Sequence, residues 1–361
     1  MKKIVRQLLG LTVLTLTASA APAALAQAKD KFVYGVPSAI SSAIANFAFA
    51  KELGYFDQER VDVEFVPLSG SGVIIPQLLA GQIHAAGASM EPLVIARQPG
   101  KQNFPLKFVY NYLRNSVWEF VVPQDSPITS LSQLKGKTIG VVSLGSGNVY
   151  TTRAILNASG VDAKSVALQP VGFGGQAIQA LRTNQVQVLN LWDSMHTAFE
   201  VSGTPLRRLP VPKEFQGMSS HGFEVTDKLL KENPQLIARF GRAVSKGSVA
   251  CEAAPANCLK AFWKHYPALK PKTGTEEEIM KKEMAIMKSR LDNIVFFRPG
   301  DARQYGAYSD TDWKLLIASL KDGGEVTNPN VPMSSLYTNE LVPEYNKFDI
   351  QAVIRQAKEW K

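Results

Sequence analysis

A set of prolines, glycines and apolar residues occurs twice in this chain, and the repetition constrains the fold more tightly than composition does. Pro67 recurs as Pro170, Gly72 as Gly175, Leu78 as Leu181, Gln82 as Gln185 and Ile83 as Val186, each 103 positions later. Gly81 recurs as Asn184, the other residue type that tolerates a left-handed helix end. The surrounding elements keep one order. In the first copy a β-prone run at Phe32 to Val36 precedes a helix from Ile44 to Leu53, stopped at Gly54. A strand then alternates through Val61 to Val66, Gly70-Ser71-Gly72 opens a helix through Leu79, and a strand spans Ile83 to Ala88. In the second copy the strands are Thr138 to Val142, Ser165 to Val171 and Val186 to Leu191. A helix at Tyr150 to Leu156 stops at Gly160, and Gly172 to Gly175 opens another through Leu181. Strands alternating with helices imply a parallel sheet covered by helices, so two similar α/β lobes are expected.

In open sheets of this kind ligands gather beyond the carboxyl ends of the strands, where loops feed helix N-termini. Two lobes facing each other turn those loops into one cleft, and Gly- and Ser-rich loops let backbone N–H groups approach a ligand. After Pro210 the pattern is helical: Asp227 to Leu230, Pro234 to Val249, Leu259 to Tyr266, Glu276 to Leu291, Thr311 to Leu320 and Gln351 to Trp360. These helices are expected around the first lobe, so the chain crosses between lobes twice. The candidate crossings are Val117 to Val122 and Met218 to Phe223.

The N-terminus reads as an export signal. Lys2, Lys3 and Arg6 precede an uncharged run from Leu8 to Ala18, and Ala24-Leu25-Ala26 fits cleavage before Gln27. The run is too short for a permanent membrane anchor, and with no cysteine beside it a lipid anchor is not expected. Cleavage removes three basic residues and no acid, lowering the formal net charge from +9 to +6. That excess is scattered, with no basic run interleaved with aromatics, so nucleic acid is not an expected partner. Cys251 and Cys258 are the two cysteines. In an oxidising compartment they read as a local disulfide joining a helix end to the next helix; the alternative is two reduced thiols.

The residues Gly54-Tyr55-Phe56 before Val61-Asp62-Val63, the unit Leu78-Leu79-Ala80-Gly81-Gln82-Ile83-His84-Ala85-Ala86, and above all Ile128-Thr129-Ser130-Leu131-Ser132-Gln133-Leu134-Lys135-Gly136-Lys137-Thr138-Ile139-Gly140-Val141 carry a resemblance. The chain resembles the periplasmic binding proteins of ABC importers for sulfonates, nitrate, taurine and thiamine-precursor pyrimidines. The resemblance implies a type II periplasmic-binding fold: two α/β lobes, a cleft, a double-crossover hinge and closure on ligand. It divides the chain into a signal peptide at 1–26, a first lobe at 27–120 plus 222–361, and a second lobe at 121–221. Position by position, the cleft loops correspond to Ser38, Ser71, Gly72, Ser89 and Glu91 in the first lobe. In the second they correspond to Ser143, Ser146, Asn148, Trp192 and Asp193, with Trp118 and His221 near the crossings.

Each residue also has a plainer reading. Trp192 offers an indole for stacking on a planar ligand; Asp193 either accepts from an amine or caps the next helix. The run Ser143 to Asn148 suits an anion at a helix start, or is an ordinary capped turn, and lacks the lysine of a phosphate-binding loop. Glu91 reads as a solvated first-turn acid more readily than as a partner for a cation. Arg114 reads as a surface residue before an anion ligand, and His84 as a packed strand residue. His84, His196, His221 and His265 are dispersed, with no HExxH or G-x-S-x-G motif, so neither a metal, a cofactor nor hydrolytic chemistry is expected. A cytosolic pyrimidine synthase of the same superfamily carries a cysteine-rich motif that is missing here. The expectation is a monomeric, non-enzymatic periplasmic protein that closes on a small organic anion or planar heterocycle and delivers it to an inner-membrane ABC permease. The alternative is a ligand-sensing subunit for a membrane receptor. Scarcity of cationic residues in the mapped loops weighs against sulfonate or nitrate.

Overall fold

The computed structural model describes residues 28–101 and 104–361. The expected leader, 1–26, lies outside the described residues. β1 (Asp30–Val36) leads through α1 (Ala45–Glu52) and α2 (Tyr55–Gln58) to β2 (Val61–Pro67). α3 (Ser71–Leu79), β3 (Ala85–Ser89), α4 (Glu91–Ala96) and β4 (Leu106–Leu113) follow. The chain then enters a second sheet with β5 (Trp118–Pro123), β6 (Thr138–Val141), α5 (Asn148–Ala158), β7 (Ala167–Pro170), α6 (Gly175–Arg182), β8 (Val188–Trp192), α7 (Asp193–Val201) and β9 (Leu206–Leu209). It returns through β10 (His221–Thr226) to α8 (Asp227–Glu232), α9 (Pro234–Ala253), α10 (Pro255–His265), α11 (Glu276–Ile294), α12 (Asp310–Asp322), α13 (Val342–Tyr345) and α14 (Ile350–Glu359).

The two sheets have matching orders, β2-β1-β3-β10-β4 and β7-β6-β8-β5-β9. The first three strands of each run parallel, and the fourth, β10 or β5, runs antiparallel beside the third. The repeat read from sequence is thus a repeat of structure. Gly81 and Asn184 both take positive φ, 70° and 59°, directly after their helices. Gly70 and Gly174, at φ 80° and 69°, precede α3 and α6.

The chain passes between sheets at 114–117 and again at 210–220. The boundary drawn at 120/121 therefore falls inside β5, which pairs wholly within the second sheet. The strand expected from Ile83 begins at Ala85. His84 is not a packed core residue: it is half-buried ahead of the strand, and its Nδ1 accepts from the Val33 N–H at 2.9 Å, satisfying a donor that the ladder leaves open.

Local signals explain the long helices. Asn233 caps α9 by accepting from the Leu236 N–H, with Pro234 in the first turn. Thr275 and Glu278 form a reciprocal capping box on α11. The late helices, expected around the first lobe, reach the second as well. α9, α10, α13 and α14 do pack there, but α11 also packs on α7 and α12 on α5. One reason is chemical: Asn157 donates to the Asp322 carbonyl, and Gly323 lies so close to α5 that an added Cβ would meet the Ala154 nitrogen at 3.1 Å. Accordingly one apolar core runs from Phe108 of the first sheet through Trp313 and Leu320 of α12 to Ala154 of α5 and Ile139 of the second sheet. An aromatic core that includes Tyr34, Phe47, Phe223 and Phe240 fills the other face of the first sheet. Cys251 at the end of α9 and Cys258 in α10 form the expected disulfide.

Candidate functional site

The carboxyl ends of β1, β3, β6 and β8 converge on one cavity of about 900 Å³, counting the part open to solvent. The first sheet contributes Ser38 after β1, Gly70 and Ser71 at the start of α3, and Ser89 at the end of β3. The second contributes Ser146 and Gly147 ahead of α5, Phe173 ahead of α6 and Trp192 at the end of β8. Trp118 and His221, the first residues of the two strands that follow the crossings, close the back. The lobes touch across this cleft: a Cβ on Gly147 would lie 2.3 Å from Ser89 Cβ, and one on Gly72 would lie 3.6 Å from the Gly145 carbonyl.

Aromatic rings dominate the walls. Trp118 and Trp192 pair in register across β5 and β8, with ring centroids 6.5 Å apart and planes at 76°. His221 lies 5.3 Å from Trp118, and Phe173 lies 6.4 Å from Trp192. The Trp118 indole N–H is buried without an acceptor among the described residues. His221 shares a 3.2 Å hydrogen bond with Ser89 Oγ. Burial, and secondarily the charge of Arg290, push its imidazole down to about 3, so it is neutral at physiological pH. Burial likewise raises the Tyr112 hydroxyl.

Seven expected residues line the cavity: Ser38, Ser71, Ser89, Trp118, Ser146, Trp192 and His221. Five do not. Gly72 sits in the first turn of α3, against the opposite loop. Ser143 shares a hydrogen bond with Ser146 Oγ at 3.2 Å, and Asn148 donates to the Asn190 side chain and carbonyl, which is the ordinary turn reading of this run. Asp193 opens α7, accepts from the Ser194 N–H at 2.6 Å, and holds Arg290 and Asn293. Glu91 is not the solvated acid expected. It is 3% exposed beneath the interlobe contact, Thr151 Oγ1 donates to its Oε1 at 3.4 Å, and Oε2 has no partner. Burial pushes this carboxyl up to about 7. Arg114 is not a free surface residue either: it donates to the carbonyls of Phe296 and Ala307 and stacks on Phe297.

Sequence reasoning missed Arg290, which reaches the cavity from α11, and the aromatic walls Tyr34, Phe47, Tyr112 and Phe173. Phe173 was legible inside the Gly-rich opening of α6. Arg290 carries no local signal, because its partner Asp193 lies 97 residues away.

Residues 41–258 match the family described as NMT1/THI5 like. The chain belongs to the NMT1/THI5-like family. As a member of it, the chain is a solute-binding protein of the ABC-transport type for small organic ligands. Over 305 residues, 83% of this chain and 82% of the relative, it is 24% identical to the riboflavin-binding protein RibY of Chloroflexus aurantiacus. The alkanesulfonate-binding protein SsuA from Xanthomonas axonopodis pv. citri, bound to MOPS, superposes with a TM-score of 0.65 at 17% identity, covering 87% of this chain and 100% of that one. The periplasmic aliphatic sulphonate binding protein SsuA from Escherichia coli gives 0.60 at 14%, covering 81% and 86%. These neighbours share the type II periplasmic-binding fold with this NMT1/THI5-like chain.

Proposed function

We propose that this protein captures a planar aromatic heterocycle of the flavin class in the periplasm and hands it to an inner-membrane ABC importer. The observation that carries this reading is the charge state of the cavity. Its cation, Arg290, is spent on Asp193, with Nε 3.0 Å from both carboxylate oxygens, and its histidine is neutral. What remains is an uncharged aromatic cleft with a few hydroxyls and one unpartnered indole N–H, the composition that suits a flat ring with polar edges. A sulfonate would bring a full negative charge into it without a free cation to meet it. The riboflavin-binding relative supports the same ligand class. On this reading the sheets act as two lobes hinged at 114–117 and 210–220, and closure buries the ring between Trp118, Trp192 and the serine loops.

Riboflavin fluorescence titrated with the protein lacking residues 1–26 tests the proposal. Saturable quenching that taurine and methanesulfonate do not reverse is the expected result. Trp192→Ala or Trp118→Ala weakens it about 10–100-fold, the usual value of a base–aromatic stack. No quenching, together with a thermal shift by a sulfonate, overturns the proposal. Stimulation of a permease ATPase by the loaded protein separates import from receptor signalling.

A further inference from the structure

A second hollow, about 690 Å³ including its mouth, adjoins the cleft, and the two meet at Ser38, Phe173 and Trp192. Its chemistry differs from that of the aromatic cavity. One wall is the loop 38–42, with the Ser41 and Ser42 hydroxyls; the opposite walls bring Ser194 from α7 and Glu283 from α11. Ser42 Oγ donates to Glu283 Oε2 at 3.0 Å, and no described residue bonds Oε1. The Ser41 and Ser194 hydroxyls bond no other described residue. Glu283 is half-buried with no basic side chain on it, and burial raises its carboxyl above the ordinary value.

We infer that this hollow receives a flexible polyhydroxylated chain attached to the ring held in the aromatic cleft, with Glu283 as the residue that selects for it. The inference rests on the ring-binding reading above and extends it to the rest of the ligand. An alcohol both donates and accepts. The free carboxylate oxygen takes the donated protons, while the Ser41 and Ser194 hydroxyls supply protons to the alcohol oxygens. An ammonium only donates, and would leave the serine protons unmatched. An apolar tail would leave the second Glu283 oxygen desolvated without a donor, at a cost comparable to losing a charged hydrogen bond. The junction also has the right order: Phe173 and Trp192 flank the ring on one side and the hollow on the other, so a chain attached to the ring edge leads into it.

The test compares riboflavin with lumiflavin, whose ring is the same but whose polyol chain is replaced by a methyl group, and with a flavin bearing an aminoalkyl chain. Wild-type protein is expected to bind riboflavin at least about 10-fold more tightly than lumiflavin, the value of one hydrogen bond to a charged group. Glu283→Ala is expected to abolish that preference while leaving lumiflavin affinity unchanged, which also reports that the variant is folded; Ser194→Ala reduces the preference in part. Equal wild-type affinity for riboflavin and lumiflavin overturns the inference and leaves the ring-binding reading standing. So does a preference that survives both substitutions, or tighter binding of the aminoalkyl flavin. Absence of binding by every flavin overturns both.

Discussion

The Arg290 guanidinium on α11 grips the Asp193 carboxylate at the start of α7, with Nη2 2.6 Å from Oδ1 and Nε 3.0 Å from each oxygen. The pair ties a late helix to the second sheet and cancels the charge beside the ligand cavity. Breaking it from either side has different consequences. Arg290→Ala strands a buried carboxylate and is expected to lower unfolding free energy by about 3–5 kcal/mol in urea melts. Asp193→Asn instead releases a cation into the cleft. Competition titrations are expected to show tighter binding of phosphorylated or sulfonated ligand analogues, with little change for a neutral ring.

Gly147 is required by proximity across the cleft, not by its own backbone. Its φ of −58° suits any residue, yet a Cβ there would meet Ser89 Oγ at 2.6 Å and Glu91 Oε2 at 3.1 Å. Gly147→Ala is therefore expected to fold with a nearly unchanged melting temperature. Closure then carries an overpacking penalty of about 1–3 kcal/mol, read as ligand affinity about 10–100-fold weaker by calorimetry.

With the proposed closure of the lobes, Glu91 is expected to give ligand binding a pH dependence. In the closed arrangement burial raises its carboxyl from the ordinary 4.5 to about 7. The closed form thus holds a proton that an opened, hydrated Glu91 releases. Affinity is expected to be highest below about pH 4.5 and to fall as pH rises toward 7, by up to about tenfold per pH unit. Glu91→Gln is expected to flatten that profile in titrations from pH 4.5 to 8. Glu224, pushed up to about 8 by burial on β10, lies within the first sheet, so its titration affects unfolding and leaves closure alone.

The Cys251–Cys258 bridge closes a short loop between α9 and α10, and neither sulfur lines the ligand cavity. Replacing both cysteines by serine is expected to lower stability by about 2 kcal/mol in denaturant melts, with ligand affinity unchanged.

Much of this architecture was legible because it depends on residues near one another in sequence. Gly81 and Asn184 announce two helix ends, Gly70 and Gly174 two helix beginnings, and the strand ends between them deliver Ser71, Ser89 and Trp192 to one cleft. The misreadings concern distance. Glu91 read as a solvated first-turn acid because α5 of the other lobe, which covers it, belongs to a different part of the chain. Asp193 read as either an acceptor for an amine or a helix cap, and its pairing with Arg290 was not visible from its neighbourhood. Phe173 stood in view but was treated as part of a turn, since a lone aromatic among glycines does not say which way it faces.

The placement of β10 between β3 and β4 has a consequence for biogenesis. β4, with seven of its eight residues buried, finds its ladder partner in β10 and, among the described residues, otherwise bridges only to Gly306 and Tyr337. Every one of those partners is synthesised after the whole second sheet. A nascent chain must therefore keep this apolar segment unpaired until residue 221 and beyond have emerged, which delays assembly of the first sheet until most of the chain has been made.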